Sequence, residues 1–453
     1  MPDPEHEAFP SELLERVTQL FRDILGEGTP DDQLLARCRA ELGDDHTMTL
    51  TVAHDLAANF RMLGDHERAH ALDKDTLTRR RRMLGDDALP TLSSAHNLAT
   101  DLRALGQHEQ ARVIGEDTLT RRRRVLGEDH PATLRSANNL AVDLRALGQY
   151  EQARALSEDT LTRCRRVLGE DHPQTLTAAH NLASDLRALQ DYRRARELGE
   201  DTVARCRRAL GENDPHTLTA AHNLANDLRA LGEHEQARGL GEDTMKRRRE
   251  VLGEDHPDTL ISAHNCAADL RALGHYQQAR VLDEDTLTRY RRVLGEDHPH
   301  TLTSAHNLAN DLRVLGEHEQ ARALGEDTLG RRRRVLGPDH AESLISASNV
   351  ALDLRSLGEY QQARALDEDT LARCREVLGH DHPNTLTSAY NLTRDLLALG
   401  EHEQARELSM DTLTRCQRLL ADGVAGGAIM QEGHLRIRQL EQWIRSRYQP
   451  VKG

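Results

Sequence analysis

The sequence is poor in aromatic residues, in lysine and in long apolar runs. Only 2% of the 453 residues are aromatic and 37% are hydrophobic, which is too few to fill the thick core of one globule of this length. No stretch approaches the about 20 consecutive apolar residues of a membrane helix, and the first residues show no secretory pattern. We therefore expect a cytoplasmic protein with no membrane-spanning segment and no membrane partner.

The charge is acidic overall, and the basic residues are almost all arginine. The formal net charge is -15, which argues against bulk attraction to nucleic acid or to anionic lipid. Lysine occurs only at Lys74, Lys246 and Lys452. Arginine favours planar, two-point contacts with carboxylates, so we expect such contacts to matter here.

A 42-residue repeat runs through most of the chain. Leu-Gly pairs recur at this interval from Leu42–Gly43 to Leu378–Gly379 without an insertion. A second series runs from Leu63–Gly64 to Leu399–Gly400 and is broken only at Leu189–Gln190. A fixed period of this length is typical of a solenoid, in which each repeat buries its apolar face against its neighbours.

Each repeat predicts two helices. In the unit of residues 217–253, apolar and small residues recur at intervals of three and four up to Gly232, and again from there to Gly253. We name the first helix of every repeat helix A and the second helix B. The loop that follows contains His256 and Pro257, and proline is well placed at the start of the next helix A.

The repeats define three parts of the chain. Nine units occupy residues 48–420, and residues 1–47 form a diverged helix pair, with helices predicted at Ser11–Leu25 and Asp31–Leu42. Residues 421–453 contain a glycine-rich hinge and an amphipathic helix at Ile429–Tyr448. A stacked array leaves an apolar face open at each end, so we expect both outlying parts to act as caps.

The repeat resembles a known family. The string from His222 to Ala225, the pair Leu231–Gly232, Glu235 to Arg238, and Val251 to Pro257 are similar to the 42-residue tetratricopeptide repeats of kinesin light chains and their bacterial relatives. The resemblance implies an all-α, right-handed superhelix, an α-solenoid of about ten helix pairs plus a C-terminal capping helix. It also implies that the A helices line a concave groove that binds peptides.

Residues of one type that recur at the same position of every repeat are unsuited to catalysis. An active site needs unlike groups that converge on one reacting atom, whereas such residues are separated from one another by the spacing of packed helices. We therefore expect no catalytic residues, no cofactor and no metal, since HExxH and CxxC elements are also absent. Five of the six cysteines share one column of helix B, which predicts plain packing. The loop histidines are expected to help end helix B and start the next helix A.

The candidate site is the predicted groove face of the A helices. Arginines and asparagines recur there once in each repeat, with histidines and two further asparagines on the same stripe. The resemblance implies that the asparagine column contacts the peptide backbone. The candidate residues are Arg103, Arg145, Arg187, Arg229, Arg271, Arg313, Arg355, Asn139, Asn181, Asn223, Asn265, Asn307, His180, His222, His264, Asn226, Asn310 and Tyr390.

Each of the two main columns has a structural alternative. Asn223 and Asp227 stand at i and i+4, so the asparagines could brace a column of aspartates instead of binding a ligand. The arginines could pair with the aspartates of a neighbouring repeat. The sequence leaves both alternatives open.

The predicted function is a non-catalytic scaffold for protein–protein interaction. We expect the groove to bind an acidic or extended peptide segment of a partner, while nucleic acid is disfavoured and self-association stays open. The alternative is a sensor or regulatory subunit of a bacterial signalling or defence system, working with a separately encoded ATPase or protease. The chain has no GxxxxGK[ST] element of its own.

Overall fold

A computed structural model describes residues 31–421. All regular structure in this range is α-helical, in two compact units that divide between Leu231 and Gly232. The predicted helices at Ser11–Leu25 and Ile429–Tyr448 lie outside the described residues, so their capping role stays a prediction.

The first unit contains helix α1 and four and a half repeats, and the second contains the remaining helices. The helices of the first unit are α1 (Asp31–Leu42), α2 (Thr47–Met62), α3 (His66–Leu84), α4 (Leu89–Ala104), α5 (His108–Leu126), α6 (Pro131–Ala146), α7 (Tyr150–Leu168), α8 (Pro173–Ala188), α9 (Tyr192–Ala209) and α10 (Pro215–Ala230). Those of the second unit are α11 (His234–Leu252), α12 (Pro257–Ala272), α13 (Tyr276–Leu294), α14 (Pro299–Val314), α15 (His318–Leu336), α16 (Ala341–Ser356), α17 (Tyr360–Leu378), α18 (Pro383–Ala398) and α19 (His402–Ala421). From α2 onward, even numbers are A helices and odd numbers are B helices.

The loop histidines start the A helices. His172 accepts a hydrogen bond at Nδ1 from the backbone N–H of Gln174, at 3.1 Å, and Pro173 occupies the first helical position. This satisfies one of the backbone donors that a helix start leaves unpaired. The predicted part of these histidines in starting helix A is confirmed, and Asp214 replaces histidine in this position before α10. Their predicted part in ending helix B stays a prediction. The capping histidines are His46, His130, His172, His256, His298, His340 and His382.

The second glycine series ends the A helices. Gly148 has a φ of 76°, and the next residue, Gln149, donates its backbone N–H to the carbonyl of Leu144 at 2.9 Å. This closes the helix in a left-handed turn that glycine adopts without strain. Gln190 takes the same position after α8 with a φ of 62°, the one non-glycine residue between 31 and 421 with a positive φ.

The core is built from leucine and alanine, which explains why so few aromatic residues are needed. Leu77, Leu98, Leu102 and Ala111 form one typical cluster, which joins a helix B to the next repeat. One alanine of every helix B is wholly buried, which lets the helices approach closely. Gly199 has the same effect, since a Cβ atom there would lie 3.2 Å from Leu224 Cδ1. The small residues are therefore part of the packing between repeats.

Candidate functional site

The A-helix arginines reach across to the next helix A. Arg187 donates from Nε to Asp227 Oδ1 at 2.5 Å and from Nη2 to Oδ2 at 2.9 Å. Nη2 also approaches the backbone carbonyl of Asn223, at 3.3 Å. Asp227 is buried, so this two-point contact supplies its counter-charge inside the protein. Equivalent contacts join Arg61 to Asp101, Arg103 to Asp143, Arg145 to Asp185, Arg271 to Asp311, Arg313 to Asp353 and Arg355 to Asp395.

This geometry matches the structural alternative for the arginine column. The arginine side chains are largely covered, and a ligand carboxylate would have to compete with a buried aspartate for the same N–H groups. Two of the predicted asparagines stand beside these contacts, because Asn226 accepts from Arg229 at 2.7 Å and Asn310 accepts from Arg313 at 2.5 Å. The arginine column therefore fixes one helix A against the next.

The asparagine column makes a second contact between A helices. Asn223 Nδ2 lies 3.1 Å from Nε2 of His180 in the preceding repeat. Burial, followed by nearby arginines, lowers the pKa of His180 to about 4, so the imidazole is neutral at pH 7 and can accept this hydrogen bond. The spacing in the sequence did not indicate histidine as the partner of asparagine. Equivalent contacts join Asn97 to His54, Asn139 to His96, Asn307 to His264 and Asn349 to His306.

Other candidate residues differ in their surroundings. Asn181 is buried, whereas His222 and Asn265 are partly exposed. The ring of Tyr390 packs against the cluster around Leu413, and the Arg394 guanidinium lies 6.0 Å from its centroid. Tyr390 therefore contributes to the core of the last described repeat while one edge stays accessible.

Three repeats contain a buried pair of carboxyl groups that the sequence analysis did not predict. Arg355 donates to Asp395 of α18 and, at 2.7 Å, to Asp367 of α17. Both aspartates are fully buried, and one guanidinium cannot neutralise two carboxylates. Burial raises the pKa of Asp367 to about 8, and the neighbouring Asp395 acts in the same direction.

The other two pairs follow the same plan. They are formed by Asp73 and Asp101 around Arg61, and by Asp283 and Asp311 around Arg271. Burial raises the pKa of Asp73 and of Asp283 to about 7. A signal was present in the sequence, since the other repeats have glycine or serine at this position of helix B.

The cysteine column of helix B alternates with buried arginines. Arg122 donates to Ser136 Oγ at 2.8 Å and to the carbonyl of Ala132 at 3.0 Å. Where the column holds Cys164 or Cys206, alanine replaces the serine. In these two repeats the arginine and its serine partner are replaced together, whereas Ser388 is kept beside Cys374, with 3.7 Å between Sγ and Oγ.

The six cysteines are free thiols, and all are buried. Burial raises the pKa of Cys164 and Cys206 to about 11, which disfavours the reactive thiolate. Cys206 lines a small cavity together with His180 and Ala220. Within residues 31–421, no three His, Cys, Asp or Glu side chains are grouped so as to hold a metal ion.

In the arginine runs at the ends of the B helices, the first and last arginines pair with local acids. Arg121 donates to Asp117 at 2.8 Å, at i and i+4, and to Asp87 of the preceding loop at 3.1 Å. Arg124 pairs with the same loop aspartate. The self-neutralising helix face predicted from the charge spacing is confirmed for these two positions of the run.

Comparison with known proteins decides the family. A profile of the family described as tetratricopeptide repeat matches residues 31–82, 90–162, 136–208, 177–250, 216–292, 276–334, 300–368 and 342–418. The chain belongs to the tetratricopeptide repeat family. No curated protein matches it.

Two solved structures, those of the quorum sensor NprR and of the ATPase PH0952, share the fold. The apo form of the quorum sensor NprR from B. thuringiensis is 14% identical, covers 80% of this chain and 97% of its own, and has a TM-score of 0.56. The signal transduction ATPase PH0952 from Pyrococcus horikoshii, with its tetratricopeptide repeat sensor, is 13% identical, with 81% and 55% coverage and a TM-score of 0.55. A protein of nearly identical repeats from a Podosopora anserina kinesin light chain is 30% identical over 45% of this chain and 97% of its own, with a TM-score of 0.42.

One position of the tetratricopeptide helix A varies more from repeat to repeat than the histidine and arginine columns beside it. It lies four residues after the histidine column and three before the arginine column, so it shares their face. The side chains at this position are partly or fully exposed in every repeat of both units. We name it the variable column; its members are Ala58, Thr100, Val142, Ser184, Asn226, Ala268, Asn310, Leu352 and Arg394.

Proposed function

We propose that this protein is a non-catalytic scaffold that binds an acidic or extended peptide segment of a partner on the surface of its A helices. The tetratricopeptide repeat fold supports interaction with proteins, and no enzyme family matches the chain. Within residues 31–421, no helix is both long and apolar enough to span a bilayer.

The observation that carries the proposal is the contrast between the constant and variable columns. The Arg–Asp and His–Asn contacts recur along the A helices and use side chains that are mostly covered. The variable column has seven different residue types in nine repeats, and its side chains are partly or fully exposed. A surface of this kind keeps its helices at a fixed spacing and changes its chemistry from repeat to repeat, which suits recognition of an extended segment.

In this proposal the predicted site residues have two roles. The arginines hold the spacing between repeats, because each of those with a described ion pair binds a buried aspartate of the next repeat. The accessible edges of the asparagines and histidines, together with the variable column and Tyr390, contact the peptide. An amide can both donate and accept, so it can pair with a peptide backbone of any sequence.

The proposal is tested by two matched double variants in the second unit. Asn310→Ala with Leu352→Ala removes one amide and one apolar side chain from the variable column. Gln320→Ala with Val281→Ala removes the same two kinds of group from exposed positions on B helices. Wild type and both variants would be used for affinity capture from native lysate at low and high salt, followed by mass spectrometry and by Kd measurement with the recombinant partner.

We expect binding of the partner to be weakened by the first variant and retained by the second. Circular dichroism would check that both variants keep the helix content of the wild type. A partner that is lost only with the B-helix variant would place the binding surface elsewhere and overturn the proposal.

A sensor or regulatory subunit is the second candidate. NprR is named a quorum sensor and PH0952 carries its repeats as a sensor, but at 14% and 13% identity the likeness extends to the fold alone. Capture of a separately encoded ATPase or protease in the experiment above would favour this candidate over a passive scaffold.

A further inference from the structure

A cavity of about 90 Å³ lies in the first unit, where α8, α9 and α10 meet. Its buried wall is formed by Leu176, Cys206 and Ala220. Thr177 and Thr219 also line it and are exposed, so the cavity opens on the surface of the A helices. Its volume is several times what one water molecule requires, which leaves room for the head of a larger side chain.

Four other repeats place an arginine at the position that Cys206 holds in helix B. They are Arg80, Arg122, Arg248 and Arg332. The buried guanidinium of Arg122 donates to two backbone carbonyls, those of Leu92 at 3.2 Å and Ala132 at 3.0 Å. It also donates to Ser136 Oγ at 2.8 Å, and Arg80 makes the equivalent three contacts. These two arginines show how a guanidinium is bound at the boundary between two A helices.

The cavity corresponds to the space that this guanidinium fills in the repeat of Arg122. Two repeats after the three acceptors of Arg122 come Leu176, His216 and Ala220, all of which line the cavity. The backbone carbonyls of Leu176 and His216 are kept, whereas cysteine replaces the arginine and alanine replaces the serine. Both replacements are shorter, so the room for a guanidinium is left open.

The surroundings of the cavity favour a cation. Asp214 caps α10 where most other repeats use histidine, and it accepts from the backbone N–H of His216 at 2.8 Å. Burial, and then the charge of Asp214, raise the pKa of Cys206 to about 11, so this carboxylate acts on the cavity wall. His180, which also lines the cavity, is neutral at pH 7. The net charge of -15 adds attraction at longer range.

The arginines whose charge acts on His180 are already paired. They are Arg145 and Arg187, and each donates to a buried aspartate of the next repeat. The third basic group, His216, is exposed to solvent, where salt screens its charge. The attraction that Asp214 exerts on a cation in the cavity is therefore not cancelled by an unpaired arginine.

We propose that the cavity between α8 and α10 binds the guanidinium group of an arginine side chain in the partner segment. The inference rests on the proposed function and adds one basic residue to the chemistry of that segment. The guanidinium would donate to the carbonyls of Leu176 and His216, and Asp214 would supply the nearby counter-charge. A lysine ammonium is compact and strongly hydrated, so it is less suited to these contacts than the planar guanidinium.

The probe is the peptide acetyl-Gly-Arg-Gly-amide, and its Kd is measured by saturation-transfer NMR at pH 8. The same peptide with citrulline keeps the shape of the side chain without its charge, and the peptide with lysine keeps the charge without the planar group. N-ethylguanidinium is measured separately, because it distinguishes a free guanidino compound from a side chain that belongs to a peptide.

Two variants of equal net charge separate the cavity from the rest of the acidic surface. Cys206→Arg/Ala220→Ser installs the arginine–serine pair of four other repeats, so that an arginine of the chain itself fills the cavity. Cys374→Arg is the matched control in the second unit, because Ser388 already stands beside Cys374. Circular dichroism checks that both variants fold. If either does not, Cys206→Met and Cys374→Met take their place, since methionine also fills the cavity.

We expect the arginine peptide to bind the wild type and Cys374→Arg alike, and to bind Cys206→Arg/Ala220→Ser about tenfold more weakly. The citrulline and lysine peptides should bind the wild type about tenfold more weakly than the arginine peptide. Equal affinity of the two variants, equal binding of the citrulline or lysine peptide, or no binding to the wild type would overturn the inference. Binding of N-ethylguanidinium without binding of the arginine peptide would also overturn it. If the Asn310→Ala/Leu352→Ala variant still loses the natural partner in these cases, the proposed function stands and only this contact is removed.

Discussion

Arg187 shows how much of the fold depends on single polar side chains. It is the counter-ion of Asp227, whose carboxyl is buried and whose pKa is raised by that burial. Replacing Arg187 with alanine would leave a buried carboxylate without a partner. We expect Arg187→Ala to lower the free energy of unfolding by about 3 kcal/mol, which urea denaturation can measure.

The double variant Arg187→Ala/Asp227→Ala is the control for this experiment. It removes the unpaired charge together with the arginine, so it should be more stable than the single variant. A single variant as stable as the wild type would show that Asp227 finds another partner or reaches water.

The partners of these residues could be predicted from the sequence only in part. Pairing of the arginines with aspartates of a neighbouring repeat was one of two alternatives, because both columns recur in every repeat. Pairing of Asn223 with His180 was not predicted, because it depends on how far one helix A is rotated against the next. The spacing within a single repeat gives no value for that rotation.

At the scale of helices, Gln190 is the clearest departure from the repeat. It has a φ of 62° at a position where the other A helices end in glycine. A residue with a Cβ atom is strained in this region, by about 1 kcal/mol. We expect Gln190→Gly to raise the thermal midpoint by about 2–4 °C, measured by circular dichroism.

Gly148→Gln is the reverse exchange at the preceding repeat. It should lower the midpoint by a similar amount, because Gly148 has a φ of 76° and open space around it. A Gln190→Gly variant with an unchanged midpoint would indicate that the glutamine side chain compensates for its backbone strain.

The helix starts offer a second test. His172 caps α8 through Nδ1, which accepts one backbone hydrogen bond. Aspartate is a stronger cap because its negative charge also favours the N-terminal end of a helix, and Asp214 fills this position at α10. We expect His172→Asp to stabilise the protein by about 0.5 kcal/mol at pH 7. Asp214→His should have the opposite effect in parallel urea titrations.

The helices themselves were largely predictable from the sequence. The two glycine series and the His-Pro loops placed the ends of α12 and α14 to within a few residues, because glycine and proline act on the local backbone. The buried aspartate pairs could not be predicted in this way, because Asp367 and Asp395 are far apart in the sequence and meet only through packing.

For the molecule as a whole, the three aspartate pairs predict an unusual dependence of stability on pH. Each pair has one carboxyl whose pKa in the folded state is about 7 to 8, above its value in the unfolded chain. The proton on this carboxyl contributes its full stabilisation below about pH 4, and this contribution is lost as the pH rises towards and through the pKa of the folded state. Stability should therefore fall between about pH 4 and pH 8.

The variant Asp73→Gly/Asp283→Gly/Asp367→Ser tests this dependence with residues that other repeats already use. It keeps the paired Arg61, Arg271 and Arg355, each with one aspartate of the A helices. We expect it to exceed the wild type in stability at pH 9 by on the order of 1 kcal/mol per pair, and by less at pH 6. If urea denaturation gives the same difference in stability between variant and wild type at pH 6 and at pH 9, the pairs do not titrate in this range.

The contact between Arg103 and Asp143 has a consequence for how such a chain can change its length. Arg145 and Asp185 form the same contact one unit further on, so excision of one whole unit between equivalent positions would present Arg103 with an aspartate in the same orientation. Gain or loss of a unit then creates a junction of the same kind as those already present. The number of repeats can change during replication without a folding penalty at the new junction, and the surface available to partners lengthens or shortens in equal steps.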